Sequence, residues 1–187
     1  MKCVQADRCR QAAGKLLLWL VAGVLAGCTG TPPAWYQPPP RHPKPDRARY
    51  SYVLLADLRA LDQLGDGWYE IENGGWRWMS REATLYLKKP TAENIVFEMK
   101  LYVPESVIQR VGAPSMRIVL NGELLATRKF PQAGSYVVEQ TVPAQMLSPE
   151  VFRVDLKLDR AMPPSSADHR ELGVVVTTVG LRQAAKT

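Results

Sequence analysis

Phe152, Val154, Leu156 and Leu158 alternate with Arg153, Asp155, Lys157 and Asp159, and this strict period of two restricts the fold more than any other feature. Successive side chains of a strand point to opposite faces, so such a segment buries one face and wets the other. The same alternation returns where Ile95, Phe97, Met99, Leu101 and Val103 interleave with Val96, Glu98, Lys100 and Tyr102. A helix would scatter both sets around its circumference. Two half-buried strands this far apart need sheets to hold them.

Turn chemistry supplies the connections. Asn121-Gly122 stands between an apolar run ending at Leu120 and another beginning at Leu124. Both turn residues tolerate positive φ, as a type I′ hairpin requires. That hairpin is expected to set Ile118 opposite Leu125 and Val119 opposite Leu124. Further strands are expected near 77–79, 84–88, 136–142 and 173–181, and Pro90, Pro104, Pro114, Pro131, Pro143, Pro149, Pro163 and Pro164 all fall between the segments. Short alternating strands at turn-marked spacing predict an all-β fold, a two-sheet antiparallel β-sandwich of jelly-roll type.

The N-terminal part follows other rules. A basic leader with Lys2, Arg8, Arg10 and Lys15 precedes an apolar run over residues 16–24, which closes on Leu25-Ala26-Gly27-Cys28. A core of about a dozen residues falls short of the ~20 that a spanning helix needs, and the order of features is that of a secretory signal. Leu-Ala-Gly-Cys resembles the lipobox of bacterial lipoproteins. The resemblance implies cleavage before Cys28 and lipidation of its thiol; the alternative is an uncleaved signal anchor. Thr29, where such lipoproteins carry Asp when retained at the inner membrane, implies an outer-membrane, periplasm-facing protein, or a cell-membrane protein in an organism with a single membrane. Cys3 and Cys9 would leave with the leader, so the exported part would have no thiol for catalysis, metal binding or disulfides. Of the net charge of +6, the leader accounts for +3, and the remainder is dispersed. Dispersed charge argues against nucleic acid as a partner.

Residues 31–46 are proline-rich, with Pro32-Pro33, Pro38-Pro39-Pro40, Pro43 and Pro45, and predict an extended, semi-rigid spacer. Its basic end, from Arg41 to Arg49, is a solvated tether or a surface for anionic headgroups and acidic glycan. Residues 52–64 predict a short amphipathic helix on Leu54, Leu58 and Leu61, stopped by Gly65, although Tyr50-Ser51-Tyr52-Val53 also has strand character. The expected organisation is a signal peptide at 1–27, a lipid-anchored tether at 28–49, a helix or lead-in at 50–66, a sandwich at 67–182 and a tail at 183–187.

Few residues suggest catalysis, and neither cofactor nor metal site is expected. His169 beside Asp168 and Glu171 lacks further partners, and its simpler reading is a solvated loop histidine. Glu70, Glu72 and Glu82 near the tryptophans suggest paired acids of glycoside hydrolysis, but nothing in the sequence fixes their separation. The unusual segment is 67–78, which holds three of the five tryptophans, Trp68, Trp76 and Trp78. Flat aromatic faces suit the C–H faces of sugars, while Arg, Asn and Glu suit hydroxyls. The competing reading places Trp76 and Trp78 in the core, leaving Tyr69 and Arg77 outward. Tyr69, Arg77 and Trp76 are the candidate glycan contacts.

Gly67-Trp68-Tyr69 with Glu72, Trp76-Arg77-Trp78, Ala83 to Leu87, Val119 to Leu125 and Arg170 to Val174 together resemble a small β-sandwich domain. That domain, similar in shape to carbohydrate-binding modules, occurs beside or fused to bacterial glycosyltransferases and surface-polysaccharide proteins. The similarity extends from Gly67 to about Leu181. It implies a sandwich without a catalytic site, in which Trp78, Arg170 and Glu171 hold strand ends together by hydrogen bonds. The expected function is a non-enzymatic envelope lipoprotein that binds or scaffolds polysaccharide or its assembly machinery. The alternatives are a protein-binding accessory subunit and, more remotely, a glycan-processing enzyme.

Overall fold

A computed structural model describes residues 48–73 and 75–185. Cys28, the lipobox, the proline-rich tether and the last two residues lie outside them.

Among the described residues, ten strands form two antiparallel sheets, as the alternation predicts. They are β1 (Tyr52–Leu54), β2 (Trp68–Glu72), β3 (Trp76–Met79), β4 (Glu82–Lys88), β5 (Ile95–Val103), β6 (Ser115–Leu120), β7 (Glu123–Lys129), β8 (Gly134–Thr141), β9 (Val151–Leu158) and β10 (Val175–Gln183). One sheet runs β2-β3-β10-β5-β8, and the other β4-β9-β6-β7. β5 covers one side of β10, so β3 and β1 share its other side, β3 at Val175 and Val176 and β1 at Thr178 to Gly180. The segment expected as a lead-in therefore contributes a strand to the six-stranded sheet.

The core lies between the sheets. From β5 it takes Phe97 and Met99, from β9 Phe152 and Leu156, all fully buried. Burying such a side chain contributes about 1.5–3 kcal/mol. β10 reaches this core only through a bulge. Val176 and Val179 face inward opposite Leu101 and Met99, three residues on one strand matching two on the other, with Thr177 as part of the excess.

The hairpin forms with Asn121 at φ 49° and Gly122 at φ 89°. Val119 pairs with Leu124 as expected, but Ile118 pairs with Ala126, because a bulge at Leu125 shifts the register beyond the turn. The helix expected over 52–64 is replaced by β1 and a 3₁₀ turn, Leu58–Gln63, capped by Asp57, whose carboxylate accepts from the Arg59 amide. Leu54, Leu58 and Leu61 are exposed; Val53, Leu55, Ala60 and Leu64 are buried in their place. The deciding residue is Gln63, fully buried. Its Oε1 accepts from the amides of Arg49 and Tyr50, and its Nε2 donates to the carbonyls of Tyr50 and Tyr86. The backbone just before β1 and strand β4 thereby gain partners for groups that would otherwise be left to water.

A short helix that the alternation did not signal, α1 (Glu105–Val111), links β5 to β6 and buries Val107. Its signs were present: Glu105 in the first turn, Arg110 in the last, and Gly112 at φ 79° beyond the end.

Candidate functional site

The segment around the tryptophans folds with the faces reversed. β3 pairs with β10 so that Arg77 lies opposite the inward Val176, and Trp78 opposite Val175 on the outer face. Met79, with no exposure, closes the core, and Arg77 is 2% exposed. The expectation that Arg77 points outward is thus corrected, as is the core placement of Trp76 and Trp78. The cause is an unmet need for donors. Arg77 Nε donates to the Leu55 carbonyl at 2.9 Å, and Nη1 to that of Tyr69 at 2.8 Å. Both carbonyls belong to irregular backbone, one just past β1 and one in the bulge where β2 loses register with β3. Burial lowers the Arg77 pKa, and Glu70, 4.0 Å away, offsets part of that effect. Nη2 is buried without a partner among the described residues.

With Arg77 inside, Trp76 and Trp78 wall a cleft on the outer face of the six-stranded sheet. Tyr102 of β5, Pro104 at the head of α1, Val175 and Thr177 of β10, and Glu72 of β2 complete it, around about 490 Å³. Trp78 also packs against the margin of the core, whereas Trp76 does not. The Thr177 hydroxyl is turned to the Lys100 carbonyl, which leaves Glu72 as the charged group of the cleft.

Glu72 is held in place. Its Oε1 accepts from Arg170 Nη1 at 2.6 Å. The same guanidinium forks onto Asp168, Nε to Oδ1 at 3.0 Å and Nη2 to Oδ2 at 2.8 Å. It lies over the Tyr69 ring, 5.2 Å from the centroid, in cation–π range. The Tyr69 hydroxyl donates to the Glu171 carbonyl. Arg170 holds the Asp168 carboxyl down at about 2, and the two carboxylates raise the Arg170 pKa. Tyr69, a candidate contact, is therefore a support beneath Arg170 rather than a wall of the cleft. Arg170 and Glu171 do tie elements together: Glu171 Oε2 accepts from the Arg81 amide, joining its loop to the β3–β4 turn.

The other chemical readings find no assembly. Asp168 is committed to Arg170, His169 is exposed, and no cluster of three His, Cys, Asp or Glu among the described residues is placed to hold a metal ion. Glu72 and Glu82 belong to different sheets, and Glu70 extends into solvent with its side chain 93% exposed. Tyr102 and Pro104 were missed as site residues, although Tyr102 already stood among the outward alternates of its strand.

No protein-family model matches the chain, and no curated protein matches it. Solved structures similar to it include the CBM36-1 domain of a multidomain xylanase from the hindgut metagenome of Trinervitermes trinervoides. That match has a TM-score of 0.40 and 10% identity, over 72% of this chain and 98% of that one. A family 35 carbohydrate binding module from an environmental isolate matches at 0.35 and 14%, over 72% and 88%. A family GH115 4-O-methyl-alpha-glucuronidase matches at 0.38 and 9% over 59% of this chain, which spans 14% of that enzyme's length.

Proposed function

We propose that this protein is a non-enzymatic glycan-binding β-sandwich of the cell envelope, and that the cleft on the six-stranded sheet is where a sugar rests. The observation that supports this is the outward presentation of Trp76 and Trp78 from one strand, with Tyr102 beside them and an immobilised carboxylate at the rim. Two alternate positions of a strand lie about 7 Å apart, so their indoles offer a surface the length of a pyranose ring or two. Glu72 spends Oε1 on Arg170, and no hydrogen bond among the described residues engages Oε2, which is left to accept from a hydroxyl.

Intrinsic fluorescence and titration calorimetry on the purified chain test the reading, with envelope polysaccharide and its neutral oligosaccharides as probes. Binding in the millimolar to micromolar range, about 4–8 kcal/mol, is expected. Trp76→Ala and Tyr102→Ala should each abolish it while shifting the melting temperature by only a few degrees. Binding that survives both substitutions together moves the site elsewhere. A protein cross-linked at this face in place of any sugar supports the accessory-subunit alternative.

The envelope location rests on Cys28 as a lipid-bearing cysteine. Cys28→Ser should leave the precursor uncleaved and free of palmitate label, and unchanged labelling sinks that part of the reading.

A further inference from the structure

The second sheet carries a different surface. One transverse row crosses all four of its strands: Glu82 pairs with Lys157, Lys157 with Arg117, and Arg117 with Thr127. Neighbouring strands are about 4.8 Å apart, so the two cations stand side by side on the outer face. Like charges directly opposite each other destabilise a sheet unless something neutralises them. The row forms part of a groove of about 500 Å³, with Arg81 and Asp159 at one end.

The carboxylates nearby do not reach Arg117. Glu82 pairs through Oε2 with Lys157 at 3.1 Å, and no ion pair among the described residues joins it to Arg117. Asp159 gives Oδ1 to the Ser115 amide and Oδ2 to Arg160. The Arg81 guanidinium is fixed by the carbonyls of Leu158 and Asp159, which are uncharged acceptors. Arg117 is exposed, with no hydrogen bond or ion pair among the described residues. Two guanidiniums thus share one groove, neither with a carboxylate partner, and one of them is pre-positioned. Guanidinium forks match planar and tetrahedral oxyanions.

We propose that this groove is a second binding site, for the anionic groups of an acidic polysaccharide, with Arg117 as the principal contact and Lys157 and Arg81 flanking it. It is independent of the aromatic cleft, since the two occupy opposite sheets. Carboxylate, sulfate and phosphate esters share the required chemistry, and the probes separate them.

Calorimetry with oligogalacturonate, a sulfated oligosaccharide of similar length and inorganic phosphate, each at low and at 0.3 M salt, is the test. At least one of the two acidic oligosaccharides should bind, and high salt should weaken it. Arg117→Gln should lower affinity about tenfold, the effect of losing one charge-assisted hydrogen bond. Glu82→Gln frees Lys157 from its surface pair and should raise affinity about threefold. Trp76→Ala should change nothing at this site. Melting curves of the exposed-site variants control for folding. Binding unaffected by Arg117→Gln, a loss in Glu82→Gln, equal binding of a neutral oligosaccharide, or binding only to vesicles containing phosphatidylglycerol would each overturn the proposal.

Discussion

The two outer faces of this sandwich are laid on the same backbone alternation and carry opposite chemistry. On the six-stranded sheet, β3 turns two tryptophans to solvent and sinks an arginine. On the four-stranded sheet, β9 does the reverse, with Phe152, Val154, Leu156 and Leu158 inside and Arg153, Asp155 and Lys157 towards solvent. The difference lies in what stands beneath each strand. β9 pairs in unbroken register with β4 on one side and β6 on the other, so nothing in its own ladder calls for a polar side chain on the inward face. Beneath β3 lie the carbonyls of Leu55 and Tyr69, outside regular pairing, and they draw in a long side chain with several donors. Alternation decides which residues share a face. Unsatisfied backbone decides which of the two faces goes in.

The contrast can be broken most severely through the shared core. Phe97→Ala and Leu156→Ala, one from each sheet and both without exposure, should each cost about 2–5 kcal/mol in denaturant melts. Lys157→Ala should stay within about 0.5 kcal/mol. Similar losses in all three would refute the alternation on which both faces rest.

Arg77→Ala sharpens the comparison. An outward arginine would be silent when truncated. One that serves two buried carbonyls should cost roughly 2–4 kcal/mol, since each unsatisfied group carries about 1–3. A change below half a kilocalorie would return Arg77 to the surface and Trp76 to the interior.

The smallest effect is a dependence on pH. Glu98, almost buried on the outer face of β5, accepts from the Tyr52 hydroxyl at 2.7 Å and from Arg182, and in that order these hold its carboxyl below the ordinary 4.5. A carboxylate depressed on folding contributes stability that is complete above its unfolded value and lost as pH falls through its folded one. The acid limb of the stability curve should therefore flatten below about pH 4.5 in Glu98→Gln. Tyr52 acts at the other end: burial, then the bond to Glu98, raise its pKa, so stability should fall once pH passes its ordinary 10. Identical acid limbs in Glu98→Gln and the parent would remove Glu98 from this role.

These contrasts mark what the sequence could tell. β5 and β9 were legible because the alternation along each strand is unbroken and the pattern is local. The Asn121-Gly122 turn was legible, but the register past it was not, because the bulge at Leu125 has no signature in composition. β3 misled because the residues that invert it lie elsewhere, 22 positions away at Leu55 and 8 at Tyr69. The stripe of Leu54, Leu58 and Leu61 misled in a similar way, since its helical spacing says nothing of the buried Gln63 that holds the segment as a strand and a turn. Of the cleft, the tryptophans were visible from the start. Its other wall was not, because Tyr102 is brought there only by the pairing of β5 with β10.

Gln63 has a mechanical consequence. A load applied from the N-terminal side meets the described chain first at Arg49 and Tyr50, whose amides end on one side-chain oxygen. The same amide group is fastened through its nitrogen to Tyr86 on β4, in the other sheet. Tension therefore has a path to β4 besides the three residue pairs that join β1 to β10. A side chain buried for its hydrogen bonds thus gives the entry segment a second mooring, on the sheet that β1 does not join.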